Sequence, residues 1–314
     1  MLTAATARAT TRAARVARPP LRTPRSSIST LPVRRPQHLA APWKVAGAVG
    51  AAALAYAAWE FKPEWVPTPA PLSCDAPPAP DTYLDPTTST PFPSTLVSPD
   101  GVKLRLVGTG VRTVSIFSIR VYTVGFYCSE RELQLAEAGK LAGWEGYTPE
   151  RLIPPYTVPG GQPTGPVGEE LMDSLFEKAD AAVVIVPLRN TSLTHLRDAF
   201  TRTLIARMKI PRVAQEMEGE LNEQTGAALV EFKSFFSSKN LQKGSPLTLF
   251  YSAPNRTVLF QAQDEKTRVL TTLGVLRQPL LAKELLVSYF SDSAAPSPEM
   301  VKSAAMGFGG AGRP

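Results

Sequence analysis

Three polar side chains, His195, Asp198 and Arg202, stand at i, i+3 and i+7 in the stretch from Thr191 to Lys209. At about 100° per residue they share one side of a helix, while Leu193, Leu196, Phe200 and Leu204 share the opposite side. An imidazole beside a carboxylate is equipment for general acid–base chemistry, and a guanidinium binds an oxyanion or a carboxylate. A polar row opposite an apolar stripe is also what a solvated helix face looks like, so spacing alone leaves cleft and surface open. A second guanidinium, Arg112, follows two glycines in Gly108-Thr-Gly110-Val-Arg112. That segment resembles part of a phosphate loop, but it reads as a turn between strands and opens no helix. Its amides would not converge on a phosphate, which excludes nucleotide binding, and Gly160-Gly161 lacks the Lys-Ser or Lys-Thr of a P-loop.

The supply of reactive side chains is small. His38 and His195 are the two histidines of the 314 residues, and Cys74 and Cys128 the two cysteines. No zinc ribbon, multi-histidine cage or disulfide framework can be assembled from these, and no nucleophile accompanies His195 in a hydrolase triad. The net charge of +7 is concentrated at one end. Eight arginines and Lys44 precede the first acidic residue, Glu60, so 34 − 9 = 25 basic residues face 27 acidic ones in the remainder. A globular part near −2 has no cationic surplus to neutralise phosphates, and a nucleic-acid partner is excluded.

The elements that must position these residues begin after an address. Residues 1–42 are arginine-rich, hydroxyl-rich and free of acids, the composition of a mitochondrial presequence. Residues 43–59 are apolar and alanine-rich between Trp43 and Trp59, a short candidate for a transmembrane helix. If the basic side stays in the matrix, everything beyond Trp59 faces the intermembrane space. Residues 60–94 read as a Pro-rich extended linker. Residues 95–309 read as one α+β domain, an antiparallel sheet packed against helices. Two or three strands are expected between Thr95 and Cys128, the longest and most central being Thr113 to Cys128, with turns at Pro99-Asp-Gly101 and Gly108-Thr-Gly110. Ser129 with Glu132 predicts a capped helix to Ala142. Further helices are expected at Glu169 to Lys178, Thr191 to Lys209, within Val213 to Ser238, at Pro279 to Phe290 and at Ser297 to Met306. A buried strand is expected at Ala181 to Leu188, and a hairpin across Pro254-Asn255.

Gly108-Thr-Gly-Val-Arg112, Ile119-Arg-Val-Tyr-Thr-Val-Gly-Phe-Tyr127, Thr191-Ser-Leu-Thr-His-Leu-Arg-Asp-Ala-Phe200, Leu247-Thr-Leu-Phe-Tyr251 and Tyr289 together resemble the chalcone isomerase-like family. With its presequence and short membrane segment the chain is similar to the fungal mitochondrial branch, the altered inheritance of mitochondria proteins. The resemblance implies a cleft in which the family arginine falls at Arg112 and the family threonine at Tyr122, or at Thr123 if the alignment slips by one. The family's tyrosine, lysine and asparagine fall at His195, Asp198 and Arg202. Asp198 for lysine reverses a charge and His195 for tyrosine removes a phenol, so chalcone cyclisation is not expected, and the name isomerase rests on resemblance alone. The leading expectation is a membrane-tethered mitochondrial inner-membrane protein that binds a hydrophobic anionic ligand, a fatty acid or non-covalent haem. Arg112 and Arg202 would hold carboxylates, and His195 would be the iron ligand if haem is bound. The alternatives are an isomerase or intramolecular lyase using His195 on a non-flavonoid substrate, and a structural protein with a vestigial pocket.

Overall fold

The computed structural model describes residues 81–114, 119–156, 161, 165–217, 220–236, 239–264 and 267–310. The presequence and membrane-segment expectations lie outside the described residues. Among those described, no helix is long and apolar enough to cross a membrane.

The framework is a seven-stranded antiparallel sheet in the order β11-β10-β9-β6-β5-β4-β3. Its strands are β3 (Thr95–Val97), β4 (Lys103–Val114), β5 (Ile119–Ser129), β6 (Ala181–Pro187), β9 (Leu247–Ser252), β10 (Thr257–Gln263) and β11 (Leu270–Leu276). All seven residues of Ala-Ala-Val-Val-Ile-Val-Pro in β6 are buried, which is why this uninterrupted apolar run sits between β5 and β9 with side chains packed on both faces. β9 alternates buried and half-buried positions, as a strand with unequal faces must.

Helices cover one face: α1 (Glu130–Glu137), α2 (Gly168–Phe176), α3 (Leu193–Arg207), α4 (Pro211–Glu216), α5 (Glu220–Ser234), α6 (Pro279–Val287) and α7 (Pro298–Phe308). Leu193, Leu196, Phe200 and Leu204 of α3 are buried as expected, in the same core as Val124, Phe126, Val183, Leu249 and Phe260 from the sheet. Ser192 caps α3, its hydroxyl accepting from the amide of His195 at 3.1 Å. Below the core, the helices are tied by buried charge. Arg207 donates to Glu284 at 2.7 Å and to Glu169 at 2.6 Å, and Arg212 donates to the other oxygen of Glu284 at 2.7 Å.

Five expectations change. Thr113 to Cys128 is not one strand: the chain reverses between β4 and β5, and Val114 pairs with Ile119. Gly108 and Gly110 are not a turn but lie inside β4, because α7 crosses the strand there. A Cβ on Gly108 would stand 2.3 Å from the backbone nitrogen of Ala304, and one on Gly110 2.2 Å from that of Met300. Glycine here admits a helix backbone against a strand. Beyond the short β3, side chains of α7 serve the backbone of β4: Ser303 accepts from the Thr109 amide at 3.1 Å, and Ser297 donates to the Val111 carbonyl at 2.9 Å. The Pro-rich stretch is packed in its described part, where β1 (Thr82–Leu84) pairs with β2 (Pro91–Pro93) and buries Phe92 on the face away from the helices. Finally, β11 and the two-residue pair β7 (Thr191–Ser192) and β8 (Asn240–Leu241) were not foreseen. β11 is an edge strand whose first three residues are exposed, so it lacks the apolar alternation that marks a strand in sequence. The helix after Ser129 also stops at Glu137 rather than Ala142, and the Ser129 hydroxyl donates to Glu132 at 2.6 Å.

Candidate ligand cleft

Between α3, the ends of β4 and β5, and the segment after α6 lies a cleft of about 270 Å³. Its floor comes from Val121, Leu196, Ala199 and Phe200, and its polar groups include Arg112, Tyr122, His195, Arg202 and Tyr289. The sheet register fixes the first two. Arg112 of β4 faces Tyr122 of β5 directly, and its guanidinium donates to the phenol oxygen at 3.3 Å with Cζ 5.7 Å from the ring centroid. Tyr289 follows α6 on a single 3₁₀ turn, Ser288–Phe290, and is 2% exposed. Its hydroxyl is buried and has no hydrogen-bond partner. Burial raises the Tyr289 pKa well above the usual phenol value, the neighbouring Tyr122 phenol adds to the rise, and Arg112 opposes it. Burial likewise raises Tyr122 against the opposing charge and hydrogen bond of Arg112. At its inner end the cleft therefore presents two phenols, held protonated by burial, beside the Arg112 guanidinium above an apolar floor. These three groups can donate hydrogen bonds to an anionic oxygen.

Five of the seven residues anticipated from the sequence converge: Arg112, Tyr122, His195, Arg202 and Tyr289. Two do not. Thr123 points to the opposite face, fully buried, with its hydroxyl 2.9 Å from that of Thr88 and 3.1 Å from that of Thr90. Strand alternation puts neighbours on opposite faces, so Tyr122 lines the cleft and Thr123 does not. Asp198 is turned away, half-exposed and paired with Arg197 at 2.8 Å. The helix row that lines the cleft is His195, Ala199, Arg202 and Thr203, and Asp198 lies about 100° round from Ala199. Ala199 and Thr203 went unremarked in the sequence. Their signal was smallness, since a short side chain on the inward row of a helix leaves the space in which a ligand fits. His195 and Arg202 themselves are exposed, at the lip. Among the described residues no group of three or more His, Cys, Asp or Glu is placed to hold a metal ion. A haem would find residues of the right kind, one imidazole and two guanidiniums, but an iron held by His195 would sit at the mouth.

A family profile described as "Chalcone isomerase like" matches residues 102–305. Altered inheritance of mitochondria protein 18, mitochondrial, of Eremothecium gossypii is 28% identical over 224 residues, covering 65% of this chain and 67% of that protein. The protein of the same name from Debaryomyces hansenii is 26% identical over 245 residues, covering 69% and 72%. Among solved structures, a fatty-acid binding protein of Arabidopsis thaliana aligns with a TM-score of 0.48 at 18% identity, over 72% of this chain and 98% of that one.

Proposed function

We propose, on the premise that the chain belongs to the chalcone isomerase-like family, that it is a non-catalytic binding protein for a small hydrophobic carboxylate. The observation that carries the reading is the buried, unpartnered hydroxyl of Tyr289 beside the Arg112–Tyr122 pair in an apolar cleft. An unpaired buried donor costs about 1–3 kcal/mol, and a carboxylate at this point would accept from it and from the guanidinium together. The alkyl part of the ligand would cover Val121, Leu196 and Phe200. No phenol or lysine stands on α3 where the family's chalcone cyclases carry theirs, which supports a binding role over a catalytic one.

The test is calorimetric titration of the chain with dodecanoate, alongside Arg112→Ala and Tyr289→Phe. A saturable equivalent whose affinity weakens in both variants supports the reading. Unchanged affinity in both removes these residues from the site, and turnover of an enone that depends on His195 would replace binding with catalysis.

A second reading is haem, resting on His195 with Arg112 and Arg202 as partners for the propionates. A cleft of 270 Å³ is below the range that encloses drug-sized molecules, so a porphyrin would lie across the mouth with one face in solvent. A Soret band in the purified chain that is lost in His195→Ala would establish it. We further propose that residues 1–42 direct the chain to mitochondria and that residues 43–59 tether it to the inner membrane with the domain in the intermembrane space. The acid-free arginine stretch and the mitochondrial names of the relatives support the targeting, and the apolar run between Trp43 and Trp59 is the ground for the tether. Carbonate extraction and protease protection of isolated organelles test it.

A further inference from the structure

The face of the sheet away from the helices is only partly covered. β1 and β2 lie over one side, and beyond them opens a second cleft of about 870 Å³ that shares no residue with the first. Its floor is the outward row of two central strands, Val184 and Val186 of β6 with Thr248 and Phe250 of β9, and the register sets Val184 opposite Thr248 and Ala182 opposite Phe250. Phe92 and Leu96 form one wall and Leu270 the other. From Ala182 to Pro187 the floor runs about 17 Å, five steps of about 3.3 Å. Val97 and Leu270 at its rim are 66% and 60% exposed, an apolar edge that no described residue covers.

Charge is placed at one end. The Gly244 amide donates to the Pro187 carbonyl at 2.9 Å, which sets Lys243 at the end of β6. The Gln263 amide donates to the Pro246 carbonyl at 2.9 Å and its side chain to the Arg268 carbonyl at 3.1 Å, which brings Arg268 to the same corner. Both cations line the cleft, and among its described lining residues there is no Asp or Glu.

We propose that this second cleft binds a single-chain anionic amphiphile taken up from solution, with the alkyl chain along β6 and β9 and the headgroup between Lys243 and Arg268. A long apolar trough ending in two cations, with no anion among its described lining residues, matches that chemistry and disfavours a cationic or polar ligand. The site stands independently of the first cleft, and its failure is read on different residues.

The experiment is native mass spectrometry and calorimetry of the full chain with hexadecanoate. Two equivalents bind to the wild type. Lys243→Glu combined with Arg268→Glu loses one equivalent by about tenfold or more in affinity while Arg112→Ala retains it. Thr248→Trp, which fills the floor without touching charge, loses the same equivalent and keeps the test sharp if charge reversal unsettles the fold. A single equivalent abolished by Arg112→Ala overturns the proposal. So does a second equivalent indifferent to both the charge reversal and Thr248→Trp. Sedimentation with phosphatidylglycerol vesicles that depends on Lys243 and Arg268, without binding of free hexadecanoate, would make this face a membrane-docking surface and also overturns it.

Discussion

Arg112 and Tyr122 are direct partners across β4 and β5, and the guanidinium donates to the phenol oxygen at 3.3 Å. Because the phenol accepts from the arginine, its own proton stays available for a ligand, as does that of Tyr289. Arg112→Lys keeps the charge but loses the planar fork, and the affinity for dodecanoate should fall about tenfold; Arg112→Ala should cost about a hundredfold. Titration of both variants checks the order.

Tyr289→Phe should separate stability from binding. The variant removes a buried hydroxyl that has no partner, so the ligand-free protein should gain about 1 kcal/mol in urea unfolding while dodecanoate binding weakens about tenfold. A loss of both together would show that the hydroxyl is satisfied without ligand.

Stability should fall on the alkaline side. Burial pushes the Cys128 thiol up to about 12, and it raises the phenols of Tyr122, Tyr127, Tyr147, Tyr251 and Tyr289 above their usual value. The folded chain holds these protons to higher pH than the unfolded chain does. Their contribution is complete below about pH 9 and is lost as pH rises, the thiol first and the phenols beyond about pH 10. Urea midpoints at about pH 8, pH 10 and pH 11 should decline in that order, with Cys128→Ala removing the earliest part of the fall.

Glu284 is 1% exposed and accepts from both Arg207 and Arg212. Glu284→Gln leaves two guanidiniums short of their counter-charge in the helix layer, and should cost about 3–5 kcal/mol by denaturant unfolding. Replacement of an exposed pair such as Arg277 and Glu231 should change stability by less than about 1 kcal/mol.

Gly110→Ala should disturb the cleft from its outer side. The added methyl would meet the backbone of Met300, which can yield only by moving α7, and the cost should be about 2 kcal/mol. Thermal unfolding measures it, and a weakened dodecanoate isotherm would show that the shift reaches Arg112 two residues on.

The parts of the molecule legible in the sequence are those whose signal is local. The seven apolar residues of β6, the buried stripe of α3 and the hairpin of β9 and β10 each announce themselves within one element. Arg112 and Tyr122 were reached through the resemblance, and β-register explains why they meet. What escaped depends on partners far along the chain. Gly108 and Gly110 look like a turn until α7 is laid against them, and Phe92 looks like part of a linker until the reverse face of the sheet needs covering. The helical period sorted polar from apolar on α3 but did not fix the angle at which the helix meets the sheet, and one step of about 100° decided that Ala199 rather than Asp198 faces the cleft.

The dependence of β4 on α7 also sets an order of events. The bond from the Thr109 amide to Ser303 joins groups 194 positions apart, one of the longest loop closures in the domain. A chain emerging from a ribosome or a translocation pore amino end first presents the outer side of β4 long before residues 298–308 arrive to cover it. The turns of α7 thus close the outer side of β4 late in assembly, and an interruption short of Pro298 leaves a bare strand edge open to other chains.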